Sequence, residues 1–180
     1  RLTRLTNQLL SHALVVHRAD TGKLERLNFT DLVQQVLIDA VRDHADTLLE
    51  FGLNNQAGDV WIRGDWISLR EALQNLIDNA IKYGPADNLI MLGLVGNTTD
   101  GFSLSVSDCG PGIPAEHRPE LLGRFERKQV GGETGTGLGL TIVQDVAHAH
   151  GGEVTLDQNP EQAQGLTVTL WLPPELEMTK

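Results

Sequence analysis

The sequence predicts a two-layer α/β sandwich with a mixed sheet and three main helices, preceded by an N-terminal helix fragment. Three observations carry this prediction. Helical and extended patterns alternate along the chain, the strands cluster in hairpin-like pairs, and the helices lie between those pairs. With 180 residues, of which 40% are hydrophobic, the chain can bury one good core, so we expect one domain and a small additional piece.

The first element is an amphipathic helix over residues 1–18. Its apolar residues recur at near-helical spacing: Leu2, Leu5, Leu9, Leu14 and Val16. This helix is either an ordinary terminal helix of the domain or the end of a helical hairpin whose other helix lies upstream. The turn signal Asp20-Thr-Gly22 places a boundary near residue 22.

The remaining helices are bounded by capping residues. Thr30 and Asp31 supply N-cap chemistry for a helix of about 15 residues. Asp65 caps a second helix, which ends at Tyr83 before a Gly-Pro pair. A third helix covers about 138–150 and ends before two glycines.

Five to seven strands complete the predicted fold. The candidate segments are residues 24–29, 48–53, 60–63, 89–95, 102–106, 154–156 and 166–172. Residues 109–136 are rich in Gly, Pro and charge, so we expect a long mobile loop with at most a short helix near 119–125. Loops of that length in compact domains are usually functional.

The net charge of −10 argues against nucleic acid and anionic membranes as partners, because both favour a basic surface. No segment approaches the roughly 20 apolar residues of a membrane span, so we expect no membrane contact by this chain. A nucleotide would need local neutralisation by a divalent cation, helix N-termini and a few Lys or Arg side chains.

A narrow polar arc on the second helix is the first candidate site. Asn75, Asn79 and Lys82 fall within it, opposite an apolar face. The arc is either a solvated face pointing away from the core or a ligand site. Amide oxygens are neutral, hard ligands for Mg²⁺, which also binds waters and phosphates, and Lys82 would meet a phosphate as a point charge.

Two glycine-rich segments follow. Asp108 ends a strand before Gly110 and Gly112, and its carboxylate can accept a hydrogen bond from the exocyclic amine of adenine; a plain turn is the alternative. Residues 135–140 open the last helix with N–H groups aimed at an anion. They match neither the dinucleotide-binding fingerprint nor the P-loop.

In this order, the motifs resemble the N box and the two glycine boxes of bacterial sensor histidine kinases. The segments are Asn75-Leu-Ile-Asp-Asn79-Ala-Ile-Lys82-Tyr83, Asp108-Cys-Gly110-Pro-Gly112 and Gly135-Thr-Gly-Leu-Gly-Leu140, and the resemblance covers roughly 24–173. Leu121-Leu-Gly-Arg-Phe125-Glu-Arg127 resembles the family's F box, although Leu122 replaces an aromatic residue that is usual there.

The resemblance implies a Bergerat-type sandwich that holds ATP and Mg²⁺ between the N-box helix and a lid. Asn75 and Asn79 would bind the metal, and Asn75, Lys82 and Arg127 would be catalytic. The nucleotide-binding residues that it implies are Asn75, Asn79, Lys82, Tyr83, Asp108, Gly110, Gly112, Ile113, Phe125, Gly135, Thr136, Gly137, Leu138, Gly139 and Leu140.

The same fold serves ATP-hydrolysing relatives such as gyrase, heat-shock chaperones and mismatch-repair proteins. Those relatives resemble one another in carrying a Glu, the general base for water, one turn before the metal-binding Asn. Here that position is Asn75, which cannot accept a proton at neutral pH. The sequence therefore favours phosphoryl transfer to a histidine, with an ATP hydrolase or a degenerate nucleotide-binding module as alternatives.

No histidine of the chain stands in the family's phosphoacceptor context, His-Glu-x-x-Thr-Pro. Residues 1–20 are therefore interpreted as the end of a dimerisation and phosphoacceptor helix, and 21–180 as the catalytic ATP-binding domain. The resemblance implies three partners: ATP, the absent hairpin and the receiver domain of a response regulator. It also implies a cytoplasmic domain of a homodimeric parent protein anchored in the bacterial inner membrane.

Overall fold

The computed structural model describes residues 24–122, 138–162 and 164–175. The strands are β1 (Glu25–Asn28), β2 (Glu50–Asn55), β3 (Trp61–Gly64), β4 (Leu89–Asn97), β5 (Gly101–Ser107), β6 (Glu153–Gln158) and β7 (Leu166–Leu172). The helices are α1 (Phe29–Asp43), α2 (Trp66–Tyr83), the short α3 (Arg118–Leu122) and α4 (Leu138–Ala149). A 3₁₀ turn, Ala115–His117, precedes α3.

The sheet is mixed, as predicted. Its five strands have the order β2-β4-β5-β7-β6, in which β2 runs parallel to β4 and the other pairs are antiparallel. Strands β1 and β3 form a separate antiparallel ribbon. Helices α1, α2 and α4 cover one face of the sheet, and the prediction of a two-layer sandwich with three main helices is confirmed.

The core forms where the apolar stripes of the helices meet the inward-facing residues of the strands. Alternate residues are buried from Ile90 to Leu94 in β4 and from Phe102 to Val106 in β5, as expected for a period of 2. Fully burying each aliphatic side chain stabilises the fold by about 1.5–3 kcal/mol. The core therefore fixes the rotation of α2 and α4, and that rotation decides which polar side chains the two helices turn towards each other.

The two predicted helix starts differ in outcome. Asp65 caps α2 as predicted, since its side chain accepts a hydrogen bond from Ser68 N at 3.0 Å. The predicted cap of α1 at Thr30 and Asp31 is wrong, because Asn28 is the cap and accepts from Asp31 N at 3.1 Å. Starting there places Phe29, which is only 1% exposed, inside the first turn and in the core.

Thr30 has a different task from capping. Its hydroxyl donates to Gly58 O at 2.8 Å and accepts from Val60 N at 3.0 Å, which connects α1 to the segment before β3.

The predicted helix fragment at 1–20 and residues 123–136 of the predicted loop lie outside the described residues. None of the helices in the described ranges combines the length and the apolar character that crossing a membrane requires.

Candidate nucleotide-binding site

Asn75 lies on α2 between the core and the start of α4. It is buried, with 9% of its surface exposed, and its Nδ2 donates to Glu71 O at 2.8 Å. The interpretation of its arc as a solvated face away from the core is therefore wrong at this position, because α4 packs against it. The bond to Glu71 fixes the amide plane, so Oδ1 is the polar atom left for other contacts.

The second glycine box meets the N box at Gly139. A Cβ built on Gly139 would lie 3.1 Å from Asn75 Oδ1 and 3.2 Å from Asn79 Oδ1. Both amide oxygens therefore lie near one point beside the first turn of α4, and a side chain there would crowd them. Leu140 is half-buried and packs against the core.

Leu138 is the first residue of α4. The predicted site residues that lie outside the described residues are Phe125, Arg127, Gly135, Thr136 and Gly137.

The two asparagines fit a cation that arrives with a phosphate. Mg²⁺ prefers oxygen ligands in an octahedron, and it usually keeps waters and takes only one or two ligands from the protein. Within the described ranges, no group of three His, Cys, Asp or Glu side chains could hold a metal ion by itself. The neutral donor set of Asn75 and Asn79 suits Mg²⁺ that is also bound by a polyphosphate.

Asp108 lies directly after β5 and is 7% exposed. Its Oδ1 accepts from Gly110 N at 2.8 Å and from Leu166 N at 3.3 Å, whereas no hydrogen bond within the described part of the chain reaches Oδ2. Burial raises the pKa of the Asp108 carboxyl above its ordinary value, and the hydrogen bonds from Gly110 and Leu166 act in the opposite direction. Oδ2 is therefore the oxygen placed to accept from a ligand.

The first glycine box packs against the end of α2. A Cβ on Gly110 would lie 2.7 Å from Tyr83 O, so only glycine permits this approach. Gly112 has φ of 70°, in the left-handed region that favours glycine. Ile113 is half-buried, and its carbonyl accepts from Arg118 Nε at 2.9 Å.

Lys82 and Tyr83 form an exposed pair at the C-terminal end of α2. Lys82 Nζ donates to Tyr83 Oη at 2.7 Å and lies 4.2 Å from the centre of the tyrosine ring. Since Gly110 contacts the backbone of Tyr83, this pair is next to the first glycine box. The structure thus brings the N box together with the first glycine box and with Gly139 of the second.

Two buried asparagines that the sequence analysis did not single out also contact the first glycine box. Asn88 Oδ1 accepts from Cys109 N at 2.9 Å, and Asn159 Nδ2 donates to Asp108 O at 2.8 Å. The only sequence signal was the Asn-Pro dipeptide that begins at Asn159, which is typical of a turn. Nothing in the sequence around Asn88 distinguishes it.

His150 links the end of α4 to the start of α2. Its Nε2 accepts from Asp65 N at 2.9 Å, so Nδ1 carries the proton and donates to Val146 O at 2.7 Å. Burial lowers the pKa of His150 below its ordinary value of 6.5. His148 is exposed and contacts Gln144 O through Nδ1 at 2.8 Å. His150 therefore has a structural role, since it connects the two helices through hydrogen bonds on both ring nitrogens.

The fold and the converging boxes define an ATP-binding domain of the two-layer sandwich class. Residues 64–176 match the family model described as "Histidine kinase-, DNA gyrase B-, and HSP90-like ATPase", and the chain belongs to that family.

Relatives place the chain within this family. It is 27% identical over 172 residues to the adaptive-response sensory kinase SasA of Gloeothece citriformis, a match that covers 93% of this chain and 44% of the relative. It is 36% identical over 103 residues to SasA of Synechocystis sp., covering 57% of this chain and 27% of that relative. The chain thus spans less than half the length of these curated relatives.

Solved structures agree. A mycobacterial sensor histidine kinase, MprB, superposes with a TM-score of 0.71 at 29% identity over 84% of this chain and 98% of the other. The ATP-binding domain of PrrB from Mycobacterium tuberculosis gives 0.68 at 30% identity, with the same coverage of 84% and 98%. The chain is therefore an ATP-binding domain of the sensor histidine kinase type.

Proposed function

We propose that this domain binds Mg-ATP and transfers the γ-phosphoryl group to a histidine on a dimerisation hairpin outside the chain, for relay to an aspartate of a response regulator. The observation that carries the proposal is the arrangement of both glycine boxes along α2. Gly139 lies beside Asn75 and Asn79, and Gly110 lies against Tyr83. The two places are on the order of 10 Å apart along the helix, so one extended nucleotide can reach both.

The adenine end lies at the first glycine box. Asp108 Oδ2 accepts a hydrogen bond from the exocyclic amine of adenine, whereas guanine presents a carbonyl at that edge and would repel the carboxylate. Gly110 and Gly112 let the backbone approach the base, and Ile113 would contact the nucleotide beside them. Tyr83, which contacts Gly110, covers the same end of the nucleotide.

The phosphate end lies between the N box and the second glycine box. Asn75 and Asn79 would hold Mg²⁺, which withdraws charge from the phosphate oxygens when bound. Lys82 is the nearby cation of α2, and we propose Arg127, outside the described residues, as the cation for the γ-phosphate. The remaining contacts that we propose come from Phe125, which anchors the lid, and from the second glycine box at Gly135, Thr136, Gly137, Leu138, Gly139 and Leu140.

The reaction is an in-line displacement. A bond forms from the acceptor histidine nitrogen to the γ-phosphorus as the bond to the β–γ bridging oxygen breaks, and ADP leaves with that electron pair. The proton of the histidine goes to a base outside this chain. Asn75 occupies the place of a hydrolase's general base and cannot accept a proton, so water is not activated and the nucleotide is preserved for transfer.

The relatives support a partnership between a kinase and a response regulator in general. We propose residues 1–20 as the end of the dimerisation and phosphoacceptor helix and 21–180 as the catalytic domain of a homodimeric parent protein. A cytoplasmic location of the domain and an inner-membrane anchor of the parent stay predictions.

The first experiment is a calorimetric titration of the chain with ATP and with a non-hydrolysable analogue, with and without Mg²⁺, while phosphate release is assayed in the same samples. We expect Mg-dependent binding with negligible turnover. The matched variant is Asn79→Ala, which removes one proposed ligand and should abolish the gain in affinity on adding Mg²⁺.

Asn97→Ala is the control, because Asn97 lies in the β4–β5 hairpin and bonds only within that turn. It should bind Mg-ATP like the unaltered chain. Rapid turnover by the unaltered chain would indicate a hydrolase, and absence of binding would indicate a degenerate scaffold. A normal Mg²⁺ effect in Asn79→Ala would remove Asn79 from the metal site.

A further inference from the structure

One peptide group in the first glycine box is held at both ends by buried asparagine side chains. This group joins Asp108 to Cys109. Its carbonyl oxygen accepts from Asn159 Nδ2 at 2.8 Å, and its N–H donates to Asn88 Oδ1 at 2.9 Å. Asn88 is completely buried and Asn159 is 7% exposed. Burying a side-chain amide is unfavourable unless it is hydrogen-bonded. Losing either contact would therefore leave a buried polar group without a partner and lower the stability of the fold.

The two asparagines reach this peptide from different elements. Asn88 precedes β4, and its Nδ2 donates to Ala80 O in α2 at 2.9 Å, so it joins the N-box helix to the first glycine box. Asn159 follows β6, and its Oδ1 accepts from Glu161 N at 3.0 Å. Each polar atom of both side chains therefore has a hydrogen-bond partner within the fold.

A glycine allows the β6–β7 connection to come close to the same peptide. Gly165 has φ of 129°, and a Cβ on it would lie 2.2 Å from Asp108 O, which is closer than any side chain could approach. In addition, Leu166 O accepts from Asp108 N at 2.9 Å, and Leu166 N donates to Asp108 Oδ1 at 3.3 Å. The backbone on both sides of Asp108 is thus fixed by the connection that carries Asn159.

We propose that Asn88 and Asn159 are positioning residues, which orient the Asp108 carboxylate and thereby set the preference for a nucleobase with an exocyclic amine. The inference rests on the proposed function, in which Asp108 binds adenine. The peptide after Asp108 determines where Gly110 N lies, and Gly110 N fixes Oδ1 at 2.8 Å. When the peptide is free to rotate, Oδ1 loses this donor and keeps only the longer contact with Leu166 N at 3.3 Å, so the direction of Oδ2 is less well fixed.

Asn159→Asp gives the sharpest test. It keeps the shape of the side chain and the oxygen that accepts from Glu161 N, but it replaces the donor to Asp108 O with an oxygen that repels that carbonyl. Asn88→Asp is the second variant, which keeps the acceptor for Cys109 N, removes the donor to Ala80 O and buries a carboxyl group. If Asn159→Asp fails to fold, Asn159→Ser takes its place, because its shorter side chain withdraws the donor from Asp108 O without burying a charge.

The measurement compares calorimetric dissociation constants for Mg-ATP and for the Mg complex of purine riboside triphosphate, which lacks the 6-amino group. We expect the unaltered chain to prefer ATP. Asn159→Asp should weaken ATP binding about tenfold and change binding of the analogue by less than about twofold. The double variant Asn159→Asp with Asp108→Asn should bind ATP only slightly more weakly than Asp108→Asn alone, because both residues act through the same hydrogen bond to the base.

Asn55→Asp is the matched control. Asn55 also donates from Nδ2 to a carbonyl, Gly58 O, at 3.0 Å, and it also accepts a backbone N–H through Oδ1, at 3.0 Å from Ala57 N. It ends β2 and pairs with Leu94, three residues further along β4 than Met91, which pairs with the end of β5 before Asp108. The preference for ATP over the analogue should be unchanged in this variant.

The outcomes separate the inference from the proposed function. The inference is overturned if Asn159→Asp weakens binding of both ligands equally or lowers only the melting temperature. In either case the hydrogen bonds of Asn88 and Asn159 to the peptide have a structural role alone. If the unaltered chain does not prefer ATP, or Asp108→Asn leaves the preference intact, the adenine assignment of Asp108 fails and the inference fails with it. Loss of the preference in Asp108→Asn but not in Asn159→Asp overturns the inference only.

Discussion

At the scale of single residues, Asp108 shows the opposing demands of binding and stability. Burial raises the pKa of its carboxyl, so the folded chain disfavours the charged form that a ligand amine requires. Stability from this group is greatest when it is protonated, and it falls as the pH rises from 3.8 through the higher folded pKa. At neutral pH the charged Asp108 carboxylate therefore lowers the stability of the fold, as is common for residues of binding sites.

Asp108→Asn should consequently separate the two properties. The neutral amide avoids the burial cost and can still accept from Gly110 N, so we expect a melting temperature equal to or above that of the unaltered chain. Its Nδ2 would face the amine of adenine, and loss of a charged hydrogen bond of about 1.5–3 kcal/mol predicts roughly 10- to 150-fold weaker ATP binding. Thermal melts and calorimetry on the same samples check both; a large fall in melting temperature would contradict the account.

The residues of this site were predictable to different degrees. Asp108 and Gly110 lie in a short motif, so local sequence was enough to identify them. Asn88 and Asn159 act on the same peptide from 21 and 51 residues away in the chain. No periodicity or motif encodes a contact between segments that far apart, since it depends on how the strands pair.

At the scale of elements, contacts between distant segments also decide where a helix starts, and local sequence does not encode them. Asp65 was predictable because it is the good capping residue immediately before an apolar pattern. At α1, Asn28 competes with Thr30 and Asp31, and burial of Phe29 in the core decides between them. The sequence left open whether the arc containing Asn75 is a solvated face or a ligand site for a related reason, because the packing of α4 against it is a tertiary contact.

The junction of α4 with α2 predicts a pH dependence. The folded pKa of His150 lies below its unfolded value, so between those two values the unfolded chain binds more protons and stability rises with pH. The contribution is fully present above about 6.5 and is lost as the pH falls through the folded pKa. Protonation of Nε2 would also set an N–H against Asp65 N–H, which breaks the bond between the helices.

His150→Phe should remove that dependence. The variant keeps a ring in the core but leaves Asp65 N–H without its partner, which should lower the free energy of unfolding by about 1–3 kcal/mol at pH 7.5. The difference in the free energy of unfolding between the variant and the unaltered chain should become smaller as the pH is lowered from 6.5. Urea unfolding at several pH values checks this, with His148→Phe at an exposed position as the control. A constant difference across the pH range would contradict the assignment of His150.

At the scale of the whole molecule, the charge of the chain opposes its ligand. The net charge is −10, and ATP adds further negative charge, so long-range electrostatics disfavour the encounter. Affinity must therefore come from short-range contacts in which the cation neutralises the phosphates. This requirement is consistent with a phosphate end that offers neutral amide oxygens at Asn75 and Asn79 in place of carboxylates.

Mg-ATP should accordingly stabilise the whole domain. A ligand at 100 times its dissociation constant adds about 2.7 kcal/mol to the free energy of unfolding, which for a chain of this size raises the melting temperature by roughly 5–11 °C. Differential scanning calorimetry measures the shift, with Mg²⁺ alone and ATP with chelator as controls. Because ATP without the cation adds unneutralised charge to an acidic chain, it should give a much smaller shift at the same concentration. Equal shifts with and without Mg²⁺ would show that the phosphates are neutralised by protein side chains, and would contradict the metal site at Asn75 and Asn79.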